Sequence, residues 1–398
     1  MELKPGYKHT EVGVIPHDWN SVPLHLLTTE IGDGIHATPI YSSSGDYYFI
    51  NGNNLHEGRI IITEDTKAVD YSEFNKYRKD LGDNSILMSI NGTIGNLGLF
   101  AGEAVILGKS AAYLNVKRNV SKIFTYYSLQ TEQVRSQFFD GLTGSTIKNL
   151  GLDTIRNTHV ALPPTIAEQH AIAAALSDVD ALITSLDKLI AKKRLFKQAA
   201  MQQLLNGKTR LPGFGKKWKN ARLGDIAEIV MGQSPSSTHY NTKGVGLPLI
   251  QGNADIHNRK TIKRVFTTEV TKLGHRGDII MSVRAPVGEI SRSLFDVCLG
   301  RGVCAIRFPN DFLYYALIAK ETSWGKLSKG STFDSVTSKD VNDLLIELPT
   351  DEKEQIAIAS ILFDMDEEIA ALEQRRDKIR LLKQGMMQVL LTGKTRLI

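Results

Sequence analysis

Two stretches of the chain carry apolar residues at the spacing of a coiled-coil seam. In the first, Ile172, Leu176, Val179, Ile183, Leu186 and Ile190 recur at intervals of 4, 3, 4, 3 and 4; in the second, Ile358, Leu362, Met365, Ile369 and Leu372 keep the same rhythm. That period predicts two long helices, each seeking a partner helix. Both starts have capping-box spacing, Thr165 with Glu168 and Asp351 with Glu354. Both ends reach a glycine, Gly207 and Gly393, which can take positive φ and let the helix stop. Between cap and stop lie about 40 residues, on the order of 60 Å of helix. Elsewhere the pattern changes. Short β-branched runs broken by Gly, Pro and Asn, at 47–54, 85–93, 248–255, 278–290 and 303–308, predict strands and turns of α+β domains.

The two helical stretches are copies. Leu162 to Leu211 aligns without a gap on Leu348 to Leu397, 186 residues later, with 26 identities in 50 positions. The repeat extends more faintly upstream. Phe49-Ile50-Asn51-Gly52-Asn53 matches Leu249-Ile250-Gln251-Gly252-Asn253, and Ile86-Leu87-Met88-Ser89 matches Ile279-Ile280-Met281-Ser282. Leu107-Gly108-Lys109 matches Leu299-Gly300-Arg301, and Gly144-Ser145-Thr146 matches Gly330-Ser331-Thr332. A shared framework with individual loops follows. Each helical copy begins acidic, with Asp178, Asp180 and Asp187 or Asp364, Asp366, Glu367 and Glu368. Each ends basic, with Lys188, Lys192, Lys193, Arg194 and Lys197 or Arg375, Arg376, Lys378, Arg380 and Lys383. Antiparallel pairing lays acidic halves along basic halves, whereas parallel pairing sets like on like. The competing reading is that each helix packs onto its own domain and the gradient only complements the macrodipole.

Composition adds exclusions. At 398 residues, 42% hydrophobic and 23% charged, the chain is ordinary globular material with room for two or three cores. Cys298 and Cys304 alone rule out a disulfide framework and suit a reducing, cytoplasmic setting. No leader-like start and no run of roughly 20 apolar residues is expected to meet a membrane. A net charge of +5 is too small to name a partner. The GKT triplets at Gly207 and Gly393 are not phosphate loops, because Gln202 and Gln388 stand where the first Gly is required and because they close helices. No Cys or His pair has metal-ligand spacing, and no nucleophile elbow or Gly-rich cofactor turn occurs. Chemistry of its own is therefore not expected of this chain, nor a bound metal or cofactor.

The order of these parts carries a resemblance. Two α+β segments open on Glu11 to Leu27 and Phe214 to Ile229, each with a Trp, and each is followed by LP, a cap, Glu-Gln, a heptad helix and GKTRL. Over essentially the whole length this resembles the specificity subunit of a type I restriction-modification enzyme. The resemblance implies target recognition domains at 1–161 and 212–347, with helical spacers at 162–211 and 348–398. It implies an α+β fold in which two globular domains are separated by two long antiparallel coiled-coil helices in a pseudo-two-fold, circular arrangement. It further implies a cytoplasmic, non-catalytic reader of a bipartite asymmetric site in double-stranded DNA, holding two modification (methyltransferase) subunits and, through them, restriction (translocase and nuclease) subunits. The complex would have adenine-specific methyltransferase and ATP-dependent endonuclease activity. S-adenosylmethionine, ATP and Mg2+ would belong to those partners.

Candidate contacts follow from base-edge chemistry, in which Arg suits guanine and Asn or Gln suits adenine. Asn91 and Arg284 fall at equivalent turns after matched strands and are the candidate base readers. Lys109, Ser145, Thr146 and Lys148, with Arg301, Ser331, Thr332 and Lys339, are candidate phosphate contacts, since hydroxyls and cations beside Gly suit phosphate oxygens. A turn Asn with a solvent-facing Arg, and plain turn chemistry at the rest, are the alternatives. Another class also stays open: a protein-interaction scaffold that needs no DNA.

Overall fold

A computed structural model describes residues 5–144, 148–327 and 335–397. The chain divides into two compact units, Met1–Leu186 with Arg375–Ile398, and Asp187–Gln374. The division does not follow the edges of the helical repeats. It cuts each long helix, so each unit owns the first half of one helix and the last part of the other.

The helices run Ile166–Leu204 and Glu352–Leu390, 39 residues each. Gly207 and Gly393 close them at φ +67° and +70°. Equivalent backbone bonds, Thr209 N to Gln203 O and Thr395 N to Val389 O, both 3.1 Å, finish the last turn. Within each unit the two helical segments are antiparallel, as the charge gradient requires. In the first unit Lys383 pairs with Asp180 at 2.6 Å. In the second, Lys193 pairs with Glu368 at 2.6 Å, Lys197 with Asp366 at 2.5 Å, and Arg194 with Glu373. Of the seam residues, Ile172, Leu176, Ile183, Leu186, Ile358, Leu362 and Ile369 are buried, while Val179, Met365 and Leu372 are half-buried. The competing reading is partly realised too. Ile172 and Leu176 join the core of the first unit and Ile358 and Leu362 that of the second. The start of each seam thus serves its own domain as well as the partner helix.

In the first unit a four-stranded antiparallel sheet runs Leu97–Leu99, Ser85–Ser89, Ala111–Val116, Thr28–Asp33. In the second, Glu228–Met231, Val303–Arg307, Ile279–Ser282 and Ile290–Arg292 repeat that order inside a larger sheet. Beside each lies a parallel pair, Val105–Leu107 with Tyr47–Ile50 and Val297–Leu299 with Leu247–Ile250. The predicted strands therefore form, and Cys304 is a buried strand residue as its apolar neighbours imply. A small second core supports one end of each framework: Ile50, Leu87, Leu107 and Ala111, then Ile250, Ile280, Leu299 and Val303 at the equivalent places.

The capping boxes form only in part. Thr165 Oγ1 accepts from Glu168 N at 3.2 Å, but the Glu168 carboxylate leaves the cap for Arg396. Glu354 likewise takes Arg210 through both oxygens, at 2.7 and 2.8 Å. Each arginine belongs to a GKTR segment and lies over a tryptophan, Arg396 over Trp19 and Arg210 over Trp218. Both glutamates are buried, so each needs the cation it meets. The repeated Glu-Gln and GKTR motifs thus fasten helix starts to helix ends, one pair in each unit.

Candidate nucleic-acid interface

The turns that carry Asn91 and Arg284 are anchored by the same hydrogen bonds, although their tips differ: Gly92 takes positive φ in the first and the Ala285-Pro286 peptide is cis in the second. Each begins from a buried serine at the end of a strand. Ser89 Oγ donates to Thr93 O at 2.5 Å and accepts from Asn96 N at 2.8 Å; Ser282 Oγ donates to Pro286 O at 2.7 Å and accepts from Glu289 N at 2.9 Å. Gly95 N and Gly288 N return to the serine carbonyls, both at 2.9 Å. These glycines sit at φ +84° and +89°, where a Cβ would be strained. Neighbouring chain holds the turn from both sides. Ile90 N bonds Ser110 O and Val283 N bonds Gly302 O. Leu150 N bonds Ile90 O and Val336 N bonds Val283 O. Isolated bridges join Asn91 to Asn149 and Arg284 to Ser335.

Lys109 and Arg301 sit on the adjoining turn, fixed by Gly108 N to Ile50 O and Gly300 N to Ile250 O, both 2.8 Å. The fold therefore gathers Asn51, Asn91, Lys109 and Asn149 in the first unit, and Gln251, Arg284, Arg301 and Ser335 in the second. Equivalent positions carry different side chains, an amide in one copy and a guanidinium in the other.

The candidate residues differ in readiness. Arg284 is exposed, and its guanidinium has no hydrogen bond or ion pair among the described residues. Asn91 is half-buried and donates through Nδ2 to Lys109 O at 3.3 Å, a long bond that holds it lightly. Lys109, Arg301 and Lys148 are exposed. Lys339 is exposed as well, but on the short helix Ser338–Asn342 rather than in the turn. Ser145, Thr146, Ser331 and Thr332 lie outside the described residues. Among the described residues no group of His, Cys, Asp and Glu could hold a metal ion, and no helix is long and apolar enough to cross a membrane.

Sequence reasoning missed two matched triads. Tyr127 donates to Asp180 Oδ2 at 2.8 Å, and Lys383 lies over its ring while pairing with the same carboxylate. Tyr315, Asp366 and Lys197 repeat the arrangement, with the hydroxyl at 3.1 Å. Burial pushes both phenols above their ordinary value, so they stay protonated and able to donate. The doubled Tyr126-Tyr127 and Tyr314-Tyr315 were the available signal.

Known proteins match at every level. The model of the type I restriction modification DNA specificity domain matches twice, at residues 29–193 and 215–381. The chain is 32% identical over 417 aligned residues to the type I restriction enzyme MjaX specificity subunit of Methanocaldococcus jannaschii, covering 98% of this chain and 96% of that relative. It is 25% identical to the MjaVIII specificity subunit of the same organism, covering 96% and 94%. Its fold is similar to a chain solved in work on assembly and conformational transition of a type I R-M system, with TM-score 0.63, 22% identity and coverage of 96% and 99%. The type I R-M S subunit of M. genitalium gives TM-score 0.62 at 17% identity, covering 98% of each chain. With two matched domains, a full-length relative and a shared fold, this chain belongs to the type I restriction-modification DNA specificity family and is a type I specificity subunit with two recognition domains.

Proposed function

We propose that the chain reads a bipartite asymmetric site in double-stranded DNA, one recognition domain for each half, without catalysing a reaction itself. Asn91 reads an A·T pair in one half and Arg284 a G·C pair in the other, while Lys109, Lys148, Arg301 and Lys339 contact phosphates without specifying sequence. The observation that carries this reading is the duplicated turn: one set of anchoring hydrogen bonds and a different base-matching side chain at the equivalent position of each copy. A molecule that needed only to bind a protein twice would have no use for that divergence.

Two modification subunits dock on the long helices, and restriction subunits join through them. Leu195 and Phe196 on the first helix and Leu381 and Leu382 on the second are exposed apolar pairs at equivalent positions, 186 residues apart. An exposed apolar pair at the same place in both copies supports one kind of partner bound twice. S-adenosylmethionine, ATP and Mg2+ serve those partners. The test is methylation sequencing of a randomised DNA library by this chain with its modification subunits. A discontinuous asymmetric motif is expected; methylation that does not depend on this chain, or a continuous motif, would refute the reading.

A further inference from the structure

The internal repeat allows each loop residue to be compared with its twin, and one pair breaks the symmetry. In the first copy Asn51 is part of the framework. Its Oδ1 accepts from Ser110 Oγ at 2.9 Å, the same hydroxyl receives Gly52 N at 2.9 Å, and Asn51 N bonds Asn54 Oδ1 at 2.9 Å. The side chain is half-buried and tied down. In the second copy the twin of Asn51 is Gln251 and the twin of Ser110 is Gly302. A Cβ on Gly302 would collide with the Gln251 carbonyl oxygen, so the Gln251 backbone occupies space where a side chain stands in the first copy. With no serine hydroxyl to hold it and one more methylene, the Gln251 side chain is exposed.

What remains attached to it fixes its orientation. Tyr240 donates its hydroxyl hydrogen to Pro235 O at 3.1 Å, so toward Gln251 the phenol oxygen can only accept. It accepts from Gln251 Nε2 at 2.9 Å. The amide is thereby set with one N–H on the tyrosine. The second N–H and Oε1 have no partner among the described residues. A donor and an acceptor side by side match N7 and N6–H2 of adenine in the major groove. Gly302 joins this residue to the base reader of the same domain, because its carbonyl accepts from Val283 N, next to Arg284, at 2.8 Å.

We infer that Gln251 is a second specificity-determining residue of the second recognition domain, reading an A·T pair close to the G·C pair assigned to Arg284, with Tyr240 as its positioning residue. Asn51, its twin, is structural and reads nothing. The inference rests on the proposed function, and the test separates the two. The full complex with modification subunits would methylate a randomised library as the wild type and as Arg284→Ala, Gln251→Ala, Tyr240→Phe and Asn51→Ala. Expected for Gln251→Ala is loss of A over other bases by about 5- to 150-fold at one position, in the half-site that Arg284→Ala also relaxes, the other half unchanged. Tyr240→Phe should soften the same position less, and Asn51→Ala should leave the motif intact. A Gln251→Ala complex that is weaker on every sequence but keeps its motif would overturn the inference. So would a relaxed motif with Arg284→Ala and none with Gln251→Ala. No change with either would overturn the functional reading as well.

Discussion

Replacing Arg396 by alanine removes the cation from a carboxylate that cannot easily reach water. The Glu168 side chain is 2% exposed and bonds Arg396 through both oxygens. Breaking a buried ion pair from one side costs about 3 to 5 kcal/mol, because the surviving charge is left uncompensated. Arg396 keeps 34% of its side-chain surface in solvent, so its removal opens a path for water to Glu168. Screening of that kind lowers the expected loss to about 2 kcal/mol. The guanidinium also lies 5.8 Å from the Trp19 ring centre, and the indole is wholly buried, so the fluorescence of Trp19, with the other two tryptophans replaced by phenylalanine, reports the site. Denaturant titration of the full chain should show the first unit unfolding earlier in Arg396→Ala. The paired change Glu168→Leu with Arg396→Met should recover most of the loss, since an apolar pair needs no compensation. Equal stability of Arg396→Ala and wild type would refute the fastening of helix start to helix end. So would a double variant no better than the single one.

Other consequences are open to the same treatment. Tyr127→Phe should destabilise the first unit by about 1 to 2 kcal/mol, the low end for a hydrogen bond to a charged acceptor, because Asp180 keeps Lys383. Tyr315→Phe should cost less, its bond being longer; hydrogen exchange of each helix would rank them. The Lys216 ammonium, 3.1 Å away, holds the Asp351 carboxyl below its ordinary range. A depressed carboxylate contributes stability that is present above its unfolded value, about 3.9, and is lost as pH falls through the folded one. The melting temperature of Asp351→Asn should therefore trail wild type at neutral pH and converge with it in acid; a constant gap would contradict the assignment. Serine at both Leu381 and Leu382, or at both Leu195 and Phe196, should leave folding unchanged, as surface changes usually do, yet lower the number of modification subunits recovered in the complex. Undiminished recovery would move docking off those pairs.

Much of this was legible before any coordinates because it is local or periodic. The 3-4 spacing gave the helices, the charge gradient gave their antiparallel sense, and short β-branched runs gave the strands. The equivalence of Asn91 and Arg284 was legible because a gapless match puts each two residues after matched strand ends, Ser89 and Ser282. The partner of Glu168 was not legible. Capping-box spacing is satisfied by a four-residue pattern, whereas Arg396 lies 228 positions away and is brought in only by folding. The Tyr-Asp-Lys triads were hidden for the same reason, although each member was repeated. Gln251 looked like a conservative counterpart of Asn51, and only the exchange of Ser110 for Gly302 in the neighbouring strand turn separates their roles. In the basic run at 259–264, Arg259 is bound to Glu321 at 2.5 and 2.8 Å, and Arg264 to Asp255 and the Ala254 carbonyl, pairings that the charge pattern alone does not reveal.

The central claim is that one duplicated framework presents unlike tips to two halves of a single DNA site. It is tested most directly by comparing the methylated motifs of complexes carrying Asn91→Ala and Arg284→Ala. The account predicts that each substitution relaxes a single position, that the two positions fall in different halves, and that an A·T requirement is lost in one and a G·C requirement in the other. Two unaltered motifs, or relaxation of the same half by both substitutions, would contradict it.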